Sequence, residues 1–215
     1  MLTDEQIAKN KQEYLALIRT VSRPGMPELI AWLEKSDFFE APSSCNYHSN
    51  FKGGLCDHSL NVYRCALRIR THYQELMKQK GKEPLNITDE EIIVTSLLHD
   101  ICKIHFYRPA IKHYKHPEMG WIDYMGYEVD DKFPCGHGEK SVIIAQQFVK
   151  LTGPEILAIR YHMGYGTVGS HLDPNEKYPI ARAMEICPLV FIIWNADQTA
   201  AFLLEDTETQ WDKRV

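Results

Sequence analysis

The run Ile92, Ile93, Val94, Thr95, Ser96, Leu97, Leu98 constrains this chain more than any other stretch. Seven residues that are apolar or small and uncharged carry the backbone inward and end on His99 and Asp100, followed by Ile101, Cys102 and Lys103. Desolvating an ionised carboxylate without a partner costs several kcal/mol, so Asp100 must be paired, hydrogen-bonded or bound to a metal. An imidazole beside a carboxylate offers one nitrogen and up to two oxygens to a divalent cation. With this composition about half a His-Asp dipeptide arises by chance, so the meaning of the pair depends on partners elsewhere.

Four other positions stand out. His58 lies on a stripe of Leu55, Val62, Cys65, Ile69 and Leu76, spaced mostly by three and four residues, which predicts a helix over about 55–80. His137, between Gly136 and Gly138, enters a helix that continues through Val142 and Ile143. His162 comes near the end of a helix opened by Thr152 and Glu155 as a capping box. Asp197 follows Leu189, Val190, Phe191, Ile192, Ile193 and Trp194 in a helix that reads as wholly buried. Any one of these has an ordinary explanation as a hydrogen-bonded core residue. Together with His99 and Asp100, they read as one ligand set.

The constellation resembles the HD superfamily of metal-dependent phosphohydrolases, named for its His-Asp pair and built from helices whose inward residues hold one or two metals. Lys52, Gly53 and Gly54 ahead of His58 are similar to the segment in HD-domain 3′→5′ exoribonucleases. His99 to Lys103 is similar to the family's His-Asp pair followed by lysine, with Cys102 where glycine is usual, and His137 and His162 resemble the subset that binds two metals. The resemblance spans about 48–200 and implies an all-α fold, an HD-type helical bundle; the length of 215 residues makes 1–215 one domain by default, with 1–50 expected as a helical extension packed on it.

It also implies chemistry. His58, His99, Asp100 and Asp197 would hold a first metal, and Asp100 would bridge to a second held by His137 and His162. Nitrogen and carboxylate donors suit Mn, Fe, Ni or Zn, one or two per chain. Phosphomonoesters or phosphodiesters of nucleotides or short oligonucleotides would be cleaved by a metal-activated hydroxide, with Lys103 holding the phosphate or tuning the hydroxide. Two other classes share such a ligand order: a mixed-valent di-iron oxygenase acting on a small polar substrate, and a non-catalytic module that senses a nucleotide.

Elsewhere the pattern adds detail. Thr3 with Gln6 and Thr88 with Glu91 predict two more capped helices, and a short helix over about 27–35 leads into a loop over 38–50 that carries Tyr47 and His48. Alternation in Ile111 to His116 and again in Trp121 to Tyr124 predicts a β-hairpin inserted at about 108–128. With Arg108, Lys112 and Lys115 it could form a basic flap or be a solvated edge, and His105, His113 and His116 are not counted as ligands. A loop over about 167–177 carrying His171 is expected, then a short helix over 180–187 and a new one from Pro188.

Six cysteines without close pairing are expected as free thiols. The net charge of −5 offers no general attraction for long nucleic acid. No apolar segment reaches spanning length and the N-terminus has no apolar core of the signal type, so a cytoplasmic protein without membrane association is expected.

Overall fold

A computed structural model describes residues 2–164 and 174–206, with the backbone alone at 174–178. Helices α1 (Asp4–Ile18), α2 (Met26–Lys35), α3 (Gly54–Gln79) and α4 (Asp89–Leu98) come first, and a 3-10 turn at Ile101–Lys103 follows. Strands β1 (Tyr107–His116) and β2 (Gly120–Val129) interrupt the helices. Then come α5 (His137–Ala145), α6 (Gly153–Arg160), α7 (Pro174–Ile186), α8 (Pro188–Thr199) and a π-helical stretch at Ala200–Leu204. The fold is helical with one small antiparallel hairpin, as the sequence predicts.

Local chemistry explains the helix starts. Thr3, Thr88 and Thr152 each accept a hydrogen bond from the backbone three residues on, while Gln6, Glu91 and Glu155 accept from the threonine amide. Each pair satisfies two amides that a helix start leaves free. Helix α3 begins differently. Gly53 takes a left-handed φ of +81°, and a Cβ on Gly54 would collide with the Ser49 carbonyl. This is the physical content of the Lys-Gly-Gly stretch: two glycines let the chain turn tightly into the helix that carries His58.

Helix α3 packs against α1, α4 and α8, and α6 packs against α4, α5 and α8. The core falls into two apolar clusters. One joins α1 and α2 to Leu55, Leu97, Leu98, Ile101 and Ile159; the other joins Val62, Ile92 and Ala158 to Ile193 and Ala196 of α8. The N-terminal helices thus share a core with α3 and α4. Tyr14 donates its hydroxyl hydrogen bond to the Leu97 carbonyl at 2.7 Å, fastening α1 to the end of α4. Arg23 forks onto the fully buried Glu155 at 2.7 and 2.8 Å and reaches Glu90 at 2.6 Å, so a charge at the start of α6 is matched rather than stranded.

The hairpin pairs Tyr107 with Val129 through to His116 with Gly120, one residue longer at each end than expected. Its turn closes on Gly120 at φ +76°. One face is largely open: Ile111, Trp121 and Met125 are exposed. Arg108 pairs with Glu128 and His113 with Asp123, so part of its charge is matched within the hairpin.

One expectation fails. Residues 174–177 begin helix α7, which runs through Pro179, where the sequence reads as loop. Pro174 fits a first helical turn, whose amides have no partner within the helix anyway, and Pro179 removes a single helical bond. The remainder of that predicted loop, including His171, lies outside the described residues. All six cysteines are free thiols. Among the described residues no single helix is long and apolar enough to cross a membrane.

Candidate metal centre

Where the two apolar clusters meet, four elements deliver polar groups to one point. His58 comes from the second turn of α3, His99 caps the C-terminus of α4, and Asp100 follows it. His162 lies just past α6, and Asp197 is in the last turn of α8. All five are buried. His58 Nε2 stands 3.2 Å from His99 Nε2, 3.2 Å from Asp197 Oδ1 and 3.7 Å from Asp100 Oδ2. Asp100 Oδ2 is 3.4 Å from His99 Nε2, and Asp100 Oδ1 is 3.5 Å from His162 Nε2. Donors about 2.1 Å from a shared cation stand roughly 3.0–3.4 Å apart, so these separations fit one or two ions with little adjustment. His58, His99 and Asp197 form one group that could hold a metal, and His99, Asp100 and His162 form another.

The far side of each ring fixes its orientation. His99 Nδ1 bonds to the Ser96 carbonyl at 2.8 Å and His162 Nδ1 to the Ile159 carbonyl at 2.7 Å. A carbonyl only accepts, so each Nδ1 carries the hydrogen and each neutral ring turns a lone pair at Nε2 toward the centre. Metal-ligating histidines are held in this way. Lone pairs facing one another at 3.2 Å repel unless a proton or cation lies between them. Asp100 Oδ1 and His162 Nε2 have no hydrogen-bond partner although both are buried. An orphaned acceptor facing an orphaned nitrogen is the donor set a divalent ion completes.

The charges are strongly coupled. Burial opposes ionisation of Asp100, but the Lys103 ammonium beside it holds its carboxyl well below the usual range. Lys103 Nζ touches Asp100 Oδ2 at 2.6 Å from a nearly buried position. Burial pushes His58 down, and the Glu205 and Asp197 carboxylates overcome it, raising the imidazole to about 10. His99 is lowered by burial despite Asp100 beside it.

His137 is placed differently from the other five. It is the first residue of α5 and half-buried; its Nδ1 lies 3.6 Å from Cys102 Sγ and its ring 5.5 Å from Phe106. It borders the Asp100 side of the centre but belongs to neither ligand group. The other histidines not counted as ligands are elsewhere: His105, ahead of the hairpin, meets Asp37, and on the hairpin His113 meets Asp123 and His116 accepts from the turn amides of Glu118 and Met119.

The HD domain family matches residues 55–201, about two thirds of the sequence. The chain belongs to the HD domain family. It is also similar to a dihydroneopterin 2′,3′-cyclic phosphate phosphodiesterase of Methanocaldococcus jannaschii, 29% identical over 133 residues, covering 61% of this chain. This chain spans 49% of that protein's length. No solved structure matches it. The His-Asp pair after which the HD domain is named falls, in this chain, at the end of the apolar run, and all six predicted ligand positions lie inside the matched segment.

Three more polar groups stand near the centre, and of these only Glu205 escapes the sequence reading, which places His48 in the loop ahead of Lys52 and Lys140 on the surface or beside the pocket. Glu205 contacts His58 Nδ1 with both carboxylate oxygens at 3.0 Å. His48 stacks against His58 with ring centroids 4.8 Å apart; its buried Nε2 has no partner, and burial lowers it to about 4. Lys140, which reads as a surface residue, is buried on Asp131 at 2.6 Å and over the Phe106 ring. Glu205 ends an apolar run in the sequence, the ordinary signature of a helix emerging into water, and His48 lies in an irregular loop. Neither position carries a periodic signal.

Proposed function

We propose that this chain is a metal-dependent phosphohydrolase acting on phosphodiesters of small nucleotides. His58, His99, Asp100 and Asp197 bind one divalent ion. Asp100 and His162, with His137, would hold a second. The observation that carries the reading is the facing pair of unpartnered buried atoms, Asp100 Oδ1 and His162 Nε2, in a ring of imidazoles whose far nitrogens are already anchored.

A divalent ion at this point acidifies water and neutralises charge on a phosphoryl oxygen. The chain's own groups supply the rest. Lys103 keeps Asp100 ionised and so able to hold a cation, and its ammonium adds positive charge where a phosphoryl group would bind. The Ser96 and Ile159 carbonyls hold two rings still, so little reorganisation is needed as charge develops. The name of the archaeal relative favours a small cyclic phosphodiester over a polynucleotide, and the net charge of −5 agrees.

The test is metal content per chain together with hydrolysis of a 2′,3′-cyclic nucleotide and of bis(p-nitrophenyl) phosphate in added Mn²⁺. One or two ions per chain with turnover of the cyclic ester is the expected result. A protein that binds no Mn²⁺, Fe²⁺, Ni²⁺ or Zn²⁺ would sink the proposal. Two bound irons with oxygen consumption and no phosphoesterase activity would replace it with the oxygenase reading.

A further inference from the structure

All six proposed ligands lie within residues 55–201, but the group that orients His58 does not. Glu205 follows the π-helical stretch Ala200–Leu204, which packs against α3. Its side chain is 1% exposed. Besides the two contacts to His58 Nδ1, it accepts from Ser49 Oγ at 2.9 Å and from Asn61 Nδ2 at 3.2 Å. The neighbouring Asp206 carbonyl accepts from the Ser49 amide at 2.9 Å, so the end of this segment is fastened at two successive residues. A π-helical turn is uncommon and concentrates at functional sites; here its wider turn leads into the carboxylate that lies over α3.

His99 and His162 are each oriented by a backbone carbonyl three residues earlier. Among the described residues no carbonyl bonds the Nδ1 of His58, the third ring of the centre, and a carboxylate from 147 positions further along the chain does so instead. His48, His58 and Glu205 also lie close enough to be considered a separate cation group. That use would strip His58 of both ring protons, since Nε2 already faces the main centre. A hydrogen bond from Nδ1 to the carboxylate accounts for the 3.0 Å contacts without that cost.

We infer that Glu205 is a positioning residue for the metal centre. It accepts the Nδ1 hydrogen of His58, fixing the tautomer and ring plane that aim the Nε2 lone pair at the ion. The inference rests on the metal reading given under Proposed function. It assigns a role to a residue beyond the family-matched segment, so the centre is complete only when the stretch after α8 is folded onto α3.

The experiment is Zn²⁺ binding to the full chain by calorimetry, with imidazole ¹⁵N spectra of the same samples, Zn²⁺ being diamagnetic. Glu205→Ala is expected to weaken the tighter site by about 10- to 100-fold and to move His58 toward the Nε2–H tautomer. Glu205→Gln retains an acceptor and should recover most of both. Ser49→Ala loosens the segment but leaves the carboxylate on His58, and should change affinity by less than about threefold. Wild-type affinity and tautomer in Glu205→Ala, with only lower resistance to urea, would reduce Glu205 to a structural fastener and overturn the inference. If Glu205→Ala does not fold, the loaded wild type still decides: the hydrogen on Nδ1 supports the inference, and the ion on Nδ1 overturns it. Failure of the wild type to bind any divalent ion would remove the metal reading instead, while in the metal-free protein the Nδ1–H resonance of His58, displaced in Glu205→Ala if the carboxylate accepts that hydrogen and unmoved if it does not, would still report on Glu205.

Discussion

The centre and the hairpin both carry several histidines, and they use them in opposite ways. At the centre, His58, His99 and His162 are fully buried, each with Nδ1 fixed by an acceptor and Nε2 turned to a shared point. On the hairpin, the His113 and Asp123 side chains are 65% and 67% exposed. The contact distances do not separate the two regions, since the His113–Asp123 pair at 2.7 Å is shorter than the contacts of the ligand groups. Desolvation separates them. An exposed pair in high dielectric is worth at most about 1 kcal/mol and is discounted by screening, whereas groups shielded from water must satisfy one another or take up an ion. A short distance between imidazole and carboxylate does not make a site; the absence of water around it does.

Substitutions can break that contrast. Asp100→Ala has the largest expected effect, because Asp100 faces both ligand groups. Metal content should fall to near zero and phosphodiester turnover by about three orders of magnitude, the scale of a metal's contribution to charge stabilisation. Retention of metal in this variant would show that the centre is not organised around Asp100. His162→Ala should cost less, removing about one ion per chain while His58, His99 and Asp197 keep the other. Equal loss of both ions would mean that the two positions fill only together.

A third effect follows from charge. The Glu205 and Asp197 carboxylates hold His58 protonated up to about 10, so a cation bound at Nε2 must displace a proton. Below that pH the competing proton weakens binding, and apparent affinity should rise with pH, by up to tenfold per unit. Calorimetry in buffers of different ionisation enthalpy should detect about one proton released at neutral pH. No release would mean that His58 is not a ligand. The smallest effect is expected on the hairpin. His113→Ala with His116→Ala should leave metal content unchanged and turnover within about twofold, and loss of metal there would bring the hairpin into the centre after all.

Legibility in the sequence followed the range of the interactions. The capping boxes at Thr3, Thr88 and Thr152 are local hydrogen bonds across three residues, so residue type and spacing reveal them. Apolar periodicity revealed α3 and α8, and alternation revealed the hairpin. The start of α7 does not show in the sequence because residues 174–177 carry no apolar residue and so no helical period. His137 drew notice through its flanking glycines, but only packing decides that its Nδ1 faces Cys102 rather than the other imidazoles.

By itself the sequence determined that a carboxylate stands beside an imidazole at the end of an apolar run, and that four more ligand-type residues lie on apolar helix faces or at helix ends. That much follows from the cost of desolvation and from helical spacing. Tertiary structure alone decided which nitrogen of each ring faces the centre and that His137 stands apart from the other five. It alone brought Glu205, from beyond α8, onto His58. Those outcomes depend on contacts between residues far apart in the chain, which no local propensity encodes, and on the turn of a single π-helical segment.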